Sequence, residues 1–536
     1  MRGSKSLRVW TVAAVIVMII GLGSASRATA RPTFEEAVRF LQQATFGPTP
    51  ELVAHVQAIG FDAFLTEQFA IPAPIFPQLD NLPQNPPDTC TGTCLRDNYS
   101  MYPLQVGAFR ALLTSSDQVR LRVIFALNQI LVVSAVDANL RQPSRMLPYL
   151  QVLSNGAFGN FRQLLTDITL NPAMARYLDT ANNNQASPNE NYARELLQLF
   201  SIGVNQLNPD GTLQLDAAGE TIPTYDQDTI TAFARVFTGW VFAPARLPGV
   251  TNYIDPLAPG AASTHDTQPK TLLNGVTLPG GHDAATDLHD ALDNVFAHPN
   301  VGPFIGKQLI QHLVTSNPSP AYVGRVAAVF RSTGGDMKSV VRAILLDPEA
   351  RTDPASGPPG DATYGHLREP VLWITSFLRP FGARVVTDYV LSDSFLPSGL
   401  QMAQDLFRAP SVFSFYPPDY VVAGDSVLGP EFDIFSTTTG LARVNFAYQV
   451  LYKTMSTNAN RPTGTWIDLS GLESAASDPA VLVDALNTFG LHGRMTAEMR
   501  SVLIASVTAI AVSNPLGRLR NAIYLLVTSP QYLVDR

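Results

Sequence analysis

The sharpest alternation of polar and apolar positions lies at residues 186–203, Ala-Ser-Pro-Asn-Glu-Asn-Tyr-Ala-Arg-Glu-Leu-Leu-Gln-Leu-Phe-Ser-Ile-Gly. At about 100° per residue, Glu190, Asn191, Arg194, Glu195 and Gln198 fall inside an arc of about 140°. Tyr192, Ala193, Leu196, Leu197, Leu199 and Phe200 fill the opposite side. This split predicts an amphipathic helix, half of it core and half a dense polar ridge. Ser187 is its expected N-cap, with Pro188 at the first helical position and Glu190 completing a capping box. Gly203 is the expected stop.

The same helical period runs through most of the chain. Residues 32–44 carry Phe34, Ala37, Val38, Leu41 and Ala44 on one face, behind a capping box of Thr33 and Glu36. Helices are expected at 51–59 and 61–69, meeting at Gly60, and at 102–135, strongest over 117–133. Further helices are expected at 141–153, 158–170, 288–296, 301–315, 320–331, 336–346, 369–378, 436–455, 478–490, 496–513 and 516–527. Thr224 and Gln227 are expected to cap another, with Ile230, Phe233, Ala234 and Phe237 at i, i+3, i+4 and i+7. A capping residue before proline recurs at Asn171-Pro172, His298-Pro299, Asp347-Pro348 and Ser529-Pro530. The spacing is irregular, which makes this a shared turn and not a solenoid repeat. The one β signal is a hairpin near 211–222, turning at Asp216-Ala-Ala-Gly219. Loop-rich insertions fall at about 71–100, 243–285 and 408–435. The expected fold is mainly α: one large multi-helix domain over 31–536, with a small hairpin and long Pro/Gly-rich loops.

Composition supports a large core. Hydrophobic residues make up 46% and charged residues only 15%, below the usual quarter or so. Net charge is −8 and no Lys/Arg block occurs, which argues against a nucleic-acid partner. The N-terminus reads as a signal peptide over 1–30. Arg2, Lys5 and Arg8 form a positive region, 9–22 is apolar, and Ala28-Thr29-Ala30 is an A-x-A cleavage site. The apolar run is shorter than the ~20 residues that span a bilayer; an uncleaved anchor is the alternative. The mature chain is expected to begin near Arg31, with no integral membrane span, in the periplasm, at the cell surface or in the medium. Cys90 and Cys94 are the only cysteines, and in an exported chain they are expected to form one disulfide. A zinc site would need two further ligands, and no His lies nearby.

The polar ridge admits three roles: a buried network between helices, a ligand or catalytic site, or a solvated face. It contains no Lys and lies between Asn-rich 182–185 and the Trp240 segment. Glu190, Asn191, Arg194 and Trp240 could hold a polar ligand, and Glu195 could act as an acid or base. The second candidate is His265-Asp266 in the long loop, with Lys270 close behind and His282-Asp283, Asp287 and His289-Asp290 beyond. These residue types suit a metal or an acid–base pair. No H-E-x-x-H or regular calcium loop is present, so no metal ligands are assigned, and no pattern names a cofactor. Asn208-Pro-Asp-Gly211 reads as a turn, His298 as a cap and His312 as packing or surface. Phe413, Phe415, Tyr416 and Tyr420 read as a Pro-rich strap over the core, with stacking on sugar rings as the alternative. G-x-S-x-G, the P-loop and G-x-G-x-x-G are absent.

Several segments resemble one bacterial family. They are Leu41-Gln-Gln-Ala-Thr-Phe-Gly-Pro-Thr-Pro50, Asn189-Glu-Asn-Tyr-Ala-Arg-Glu-Leu-Leu-Gln-Leu-Phe-Ser-Ile-Gly203, Phe237-Thr-Gly-Trp240, His265-Asp266 with Lys270-Thr-Leu-Leu, and Ala409-Pro-Ser-Val412. Together they resemble the exported family called domain of unknown function 1800 over essentially the whole mature chain. The resemblance implies an exported, mainly helical protein whose gene often lies beside that of a second exported family, domain of unknown function 1501. It carries over no reaction. Two functions are weighed. One is an extracytoplasmic binding or assembly protein working with that co-exported partner. The other is a hydrolase or lyase acting on a polysaccharide or other extracellular polymer, with Glu195 or His265/Asp266 as acid or base.

Overall fold

Helices begin where the amphipathic runs carry their caps. In the computed structural model, which describes residues 31–76, 79, 81–352, 363–386, 401–452 and 464–536, the Thr33–Glu36 capping box closes on helix Phe34–Ala44. The Glu36 amide donates to the Thr33 hydroxyl, and the Thr33 amide donates to the Glu36 carboxylate. The signal peptide expected at 1–30 lies outside the described residues. Helices Pro50–Ile59 and Phe61–Ala70 meet at Gly60, whose φ of +84° suits glycine. At Asn171-Pro172 the Asn171 side chain accepts the amides of Ala173 and Met174 at 3.0 and 3.3 Å. Asp347 and Ser529 cap the helices after them in the same way. His298 caps a turn instead. Its Nδ1 accepts the Asn300 amide at 3.2 Å and the next helix starts at Val301. Burial lowers the pKa of this imidazole, which favours the neutral ring that can accept.

Several expected boundaries move, and at three of them a side chain finds another partner. The helix expected over 102–135 is two helices, Tyr102–Thr114 and Gln118–Ile130. Between them the Ser115 hydroxyl accepts the Asp117 amide at 3.3 Å and Asp117 pairs with Arg120 at 3.0 Å, side-chain bonds that compete with the helix ladder. The ridge helix is Asn191–Gln198, shorter than expected. Ser187 sits in a turn, and Asn189 accepts the Asn191 amide at 2.9 Å. Glu190 completes no capping box, because Gln227 and Thr231 of helix Gln227–Val236 claim its carboxylate. That second helix is capped by Asp226; the Thr224 hydroxyl donates to the Gly203 carbonyl instead. The helix ends at Gln198 with Leu199 as its C-cap, and not at Gly203; Gly203 follows at φ +73°, its amide donating to the Leu197 carbonyl at 3.0 Å, and a Cβ there would fall 2.7 Å from the Phe304 ring.

β structure is sparse. The 211–222 region forms bridges, Leu215 to Thr221 and Leu207 to Leu213, around the Asp216–Gly219 turn. Elsewhere the described residues make two-stranded antiparallel pairs: Trp240–Val241 with Ala258–Pro259, Lys270–Thr271 with Thr277–Leu278, His366–Leu367 with Val534–Asp535, and Arg384–Val386 with Gly464–Trp466. The fold is mainly α. One continuous apolar core takes in residues from Ala37 to Tyr532. A second small cluster, Val132, Ala409, Phe415 and Tyr416, lies under the Pro-aromatic segment 408–420. That segment is the expected strap, with Phe415 and Tyr416 buried and Phe413 44% exposed. Cys90 and Cys94 are joined in a disulfide beside the short helix Thr93–Asn98. Among the described residues no helix is long and apolar enough to cross a membrane.

Candidate functional site

The 243–285 loop is fastened to the end of helix Gln227–Val236 through Thr238 and Gly239. Gly239 has φ +84°, and a Cβ there would lie 2.7 Å from the His265 Cβ. Glycine therefore lets the loop backbone close on the helix end. The Thr238 hydroxyl accepts the Asp266 amide at 2.8 Å and donates to the Arg235 carbonyl at 2.7 Å. His265 Nδ1 faces the Thr238 carbonyl at 2.9 Å, and its Nε2 faces Asp287 Oδ2 at 3.0 Å. The Lys270 ammonium donates to that same oxygen at 2.6 Å, to the Gln268 carbonyl at 3.0 Å and to the Asp266 carbonyl. His282 Nδ1 lies 3.2 Å from Asp287 Oδ1. Arg235 grips Asp266 with two bonds of 2.7 and 3.0 Å.

This is a buried ion cluster: Asp287 is 0% exposed and Lys270 1%. Burial pushes the Asp287 carboxyl up, but the His265 and Lys270 hydrogen bonds and the Lys270 charge outweigh it and hold the pKa low. The Arg235 hydrogen bonds hold Asp266 low in the same way. All three Lys270 protons and both His265 nitrogens are engaged within the protein. His265, Asp266 and Lys270 are thus brought together. The partners that complete the set, Asp287 and Arg235, come from helices Ala284–Phe296 and Gln227–Val236.

The ridge is half-exposed. Arg194 and Glu190 pair at 3.1 Å, with their side chains 42% and 34% exposed. The Gln227 hydrogen bond leads those that lower the Glu190 pKa, with Thr231 and Arg194 adding to it. Asn191 donates to Asp179 at 2.9 Å. Glu195 is half-buried, and its Oε2 has no hydrogen-bond partner. Burial raises its pKa against the pull of Arg194. The Trp240 side chain is buried, 4% exposed. Its backbone is close by: the Trp240 carbonyl accepts the Asn182 amide at 2.7 Å, and the Gly239 amide donates to the Asn183 carbonyl at 2.8 Å. The Asn-rich loop therefore ties the start of the ridge to the turn that holds His265.

A third site is touched by the sequence reading only through its aromatic strap residues. Beneath the 408–420 strap lies a cavity of about 40 Å³, bordered by polar Gln129, Gln308, His312 and Glu431 and by apolar Leu199 and Phe304. Tyr416 and Phe413 close it from the strap. Behind it, buried Glu369 accepts the Tyr416 hydroxyl at 2.7 Å, the Gln129 amide at 3.2 Å and the Gln404 amide. Burial raises the Glu369 pKa, opposed by the charge of buried Arg122. Arg122 donates to the His312 carbonyl at 2.5 Å. His366 Nδ1 lies 3.3 Å from Glu431 Oε1. Burial, with Arg122 and His366 nearby, pushes the His312 imidazole down to about 3, so its ring meets the cavity uncharged. Gln129 Oε1 and Gln308 Nε2 are buried without hydrogen-bond partners. Among the described residues no group of three or more His, Cys, Asp or Glu side chains is placed to hold a metal ion. The local signals for this site are faint: Phe413 and Tyr416 belong to the aromatic run, and Arg122 and Gln129 are two of five polar residues in helix Gln118–Ile130.

A buried ion cluster, a half-exposed ridge and a strap-covered polar cavity define a helical protein whose polar groups gather between elements. The chain belongs to the family described as Protein of unknown function (DUF1800), whose family model matches residues 39–534. No curated protein and no solved structure matches it.

Proposed function

We propose that the protein is exported and works outside the cytoplasm as a binding or assembly protein with a co-exported partner. The observation that carries this reading is the engagement of His265 and Lys270. With every ring nitrogen and ammonium proton bonded inside the protein, the pair favours holding the loop over moving a substrate proton. Glu190 and Arg194 keep exposed charge, the feature that steers association between proteins. The compartment rests on the leader pattern at 1–30, and the Cys90–Cys94 disulfide fits an oxidising environment. The partner, of the domain of unknown function 1501 family, comes from the resemblance.

Tagged full-length protein recovered from the extracytoplasmic fraction of its host is expected to bring that partner with it. Arg194→Glu, at an exposed position, is expected to lose the partner while keeping the wild-type melting temperature. Recovery of the wild type alone, or retention of the partner by the variant, overturns the reading. One observation favours an acid–base enzyme instead: Glu195 has a raised pKa and an unpartnered oxygen, as a general acid needs. Under the binding reading Glu195→Gln keeps its fold and removes no turnover; intact folding with lost turnover of an extracellular polymer would support the enzyme.

A further inference from the structure

Helix Pro479–Leu491 ends at His492, and Gly493 follows before helix Ala497–Thr508 begins. His492 stands at φ +40°, a left-handed position that glycine usually takes at a helix end. It lines a cavity of about 290 Å³ that also borders strand Val534–Asp535. His492 is 9% exposed. Neither ring nitrogen hydrogen-bonds to a described residue, and neither is among the polar atoms sealed from water. The imidazole therefore opens into the cavity with its hydrogen-bonding groups unspent.

Among the described residues the cavity is lined by three arginines, Arg368, Arg494 and Arg536, and by no aspartate or glutamate. Arg368 is 2% exposed and spent on the Tyr532 carbonyl and, at 3.0 Å, on Asp535, so it lends the site charge and not a bond. Arg494 and Arg536 are half-buried and also engaged elsewhere in the fold. A guanidinium has five N–H donors in a fork, which leaves room for a second acceptor. Asp535 and Glu35 come close, Glu35 within 3.3 Å of where a Gly493 Cβ would lie, and neither lines the cavity. Gln531 and Thr496 bond each other at 2.8 and 3.2 Å. Burial holds the His492 imidazole down at about 3, with Arg39, Arg368 and Arg494 adding to it against Asp535. The ring is thus neutral and presents one N–H donor. A cation would meet three arginines here, and a neutral ligand would leave their charge unanswered. An oxyanion answers it, because it accepts from the imidazole and from the arginine forks at once. The volume sits at the lower edge of the roughly 300–1,000 Å³ of small-molecule sites, with room for a body behind the anionic group.

We infer that this cavity binds a small organic oxyanion, a carboxylate or phosphate whose oxygens accept from the His492 imidazole and the guanidinium groups of Arg494 and Arg536. The inference goes beyond the proposed function. The cavity shares no residue with the ridge or the loop cluster, so it stands or falls whether or not the exported partner is found.

The test titrates the full-length chain with inorganic phosphate, glycerol phosphate, citrate and, as the neutral control, glycerol, by calorimetry and by imidazole NMR. At least one oxyanion is expected to bind, more weakly as salt is raised, and to shift the His492 ring signals. Glycerol is expected not to bind. Preference for glycerol phosphate marks a phosphate ester as the ligand and preference for citrate a carboxylate; either supports the inference. His492→Gly and Arg494→Gln are each expected to weaken binding about tenfold or more, with circular dichroism unchanged. Glycine suits the left-handed position, so His492→Gly keeps the test decisive if Arg494→Gln fails to fold. No binding by any oxyanion, as when the main-chain carboxylate of Arg536 already fills the space, would overturn the inference. Binding unchanged by His492→Gly would overturn it too, as would glycerol binding as tightly as its phosphate or His492 signals that stay still at saturation.

Discussion

Asp287→Ala should destabilise the protein by about 3–5 kcal/mol, a large share of the 5–15 kcal/mol typical of folded proteins. The carboxylate takes Lys270 at 2.6 Å and His265 at 3.0 Å on one oxygen and His282 at 3.2 Å on the other. Without it the Lys270 side chain, 1% exposed, is left with only the Asp266 and Gln268 carbonyls as partners and no counter-charge on that side. The 243–285 loop should then come away from helix Gln227–Val236, and limited proteolysis should cut first within it. The pH dependence has a definite sign. The Asp287 pKa is lowered in the folded state, so its contribution is complete above the unfolded value of about 3.9. It is lost as pH falls through the lower folded value. Urea melts should show a wide gap between wild type and Asp287→Ala at pH 7 that narrows below about pH 4. A gap under about 1 kcal/mol at pH 7 would mean that the cluster contributes little and that its geometry answers some other need.

How far such a site can be read from sequence depends on whether its parts are local. The helical body was legible because its signal repeats every turn and is carried by neighbours, as in Phe34–Ala44 with Thr33 and Glu36. The start of the ridge helix was misplaced for a physical reason. Ser187 and Glu190 have capping-box spacing, but Glu190 bonds Gln227 and Thr231 on another helix, and local spacing is silent about a competitor 37 or 41 residues away. His265, Asp266 and Lys270 stood out as reactive types in one loop, but their burial depends on Arg235, Thr238 and Asp287 closing around them. The cavity was the least legible part. Gln129, Gln308, Tyr416 and Glu431 come from four separate segments, and only Tyr416, in its aromatic run, has sequence neighbours that mark it.

The opposite pH signature is expected at Glu369, which sits behind that cavity. Glu369→Ala should destabilise by about 3–5 kcal/mol, because it removes the counter-charge of Arg122, 1% exposed and with Nε and Nη1 lacking hydrogen-bond partners. It also leaves the buried Tyr416 hydroxyl and Gln404 amide without their acceptor. Glu369→Gln should be milder, since a neutral amide oxygen can still accept from Tyr416. Burial raises the Glu369 pKa, so the folded state holds this proton more tightly than the unfolded chain does. The resulting stabilisation is complete below the unfolded value of about 4.3 and is lost as pH rises through the higher folded value. Wild type should therefore lose ground relative to Glu369→Gln between pH 4 and pH 7, the reverse of the Asp287 pair. A double-mutant cycle with Arg122→Met isolates the charge pairing from the packing. If the Arg122 charge is what Glu369 answers, the double variant should be more stable than the sum of the single losses predicts, because no charge is left buried alone. Strict additivity would mean that Glu369 is held for its bonds to Tyr416 and Gln404, and the cavity wall would then owe its order to those bonds and not to the ion pair.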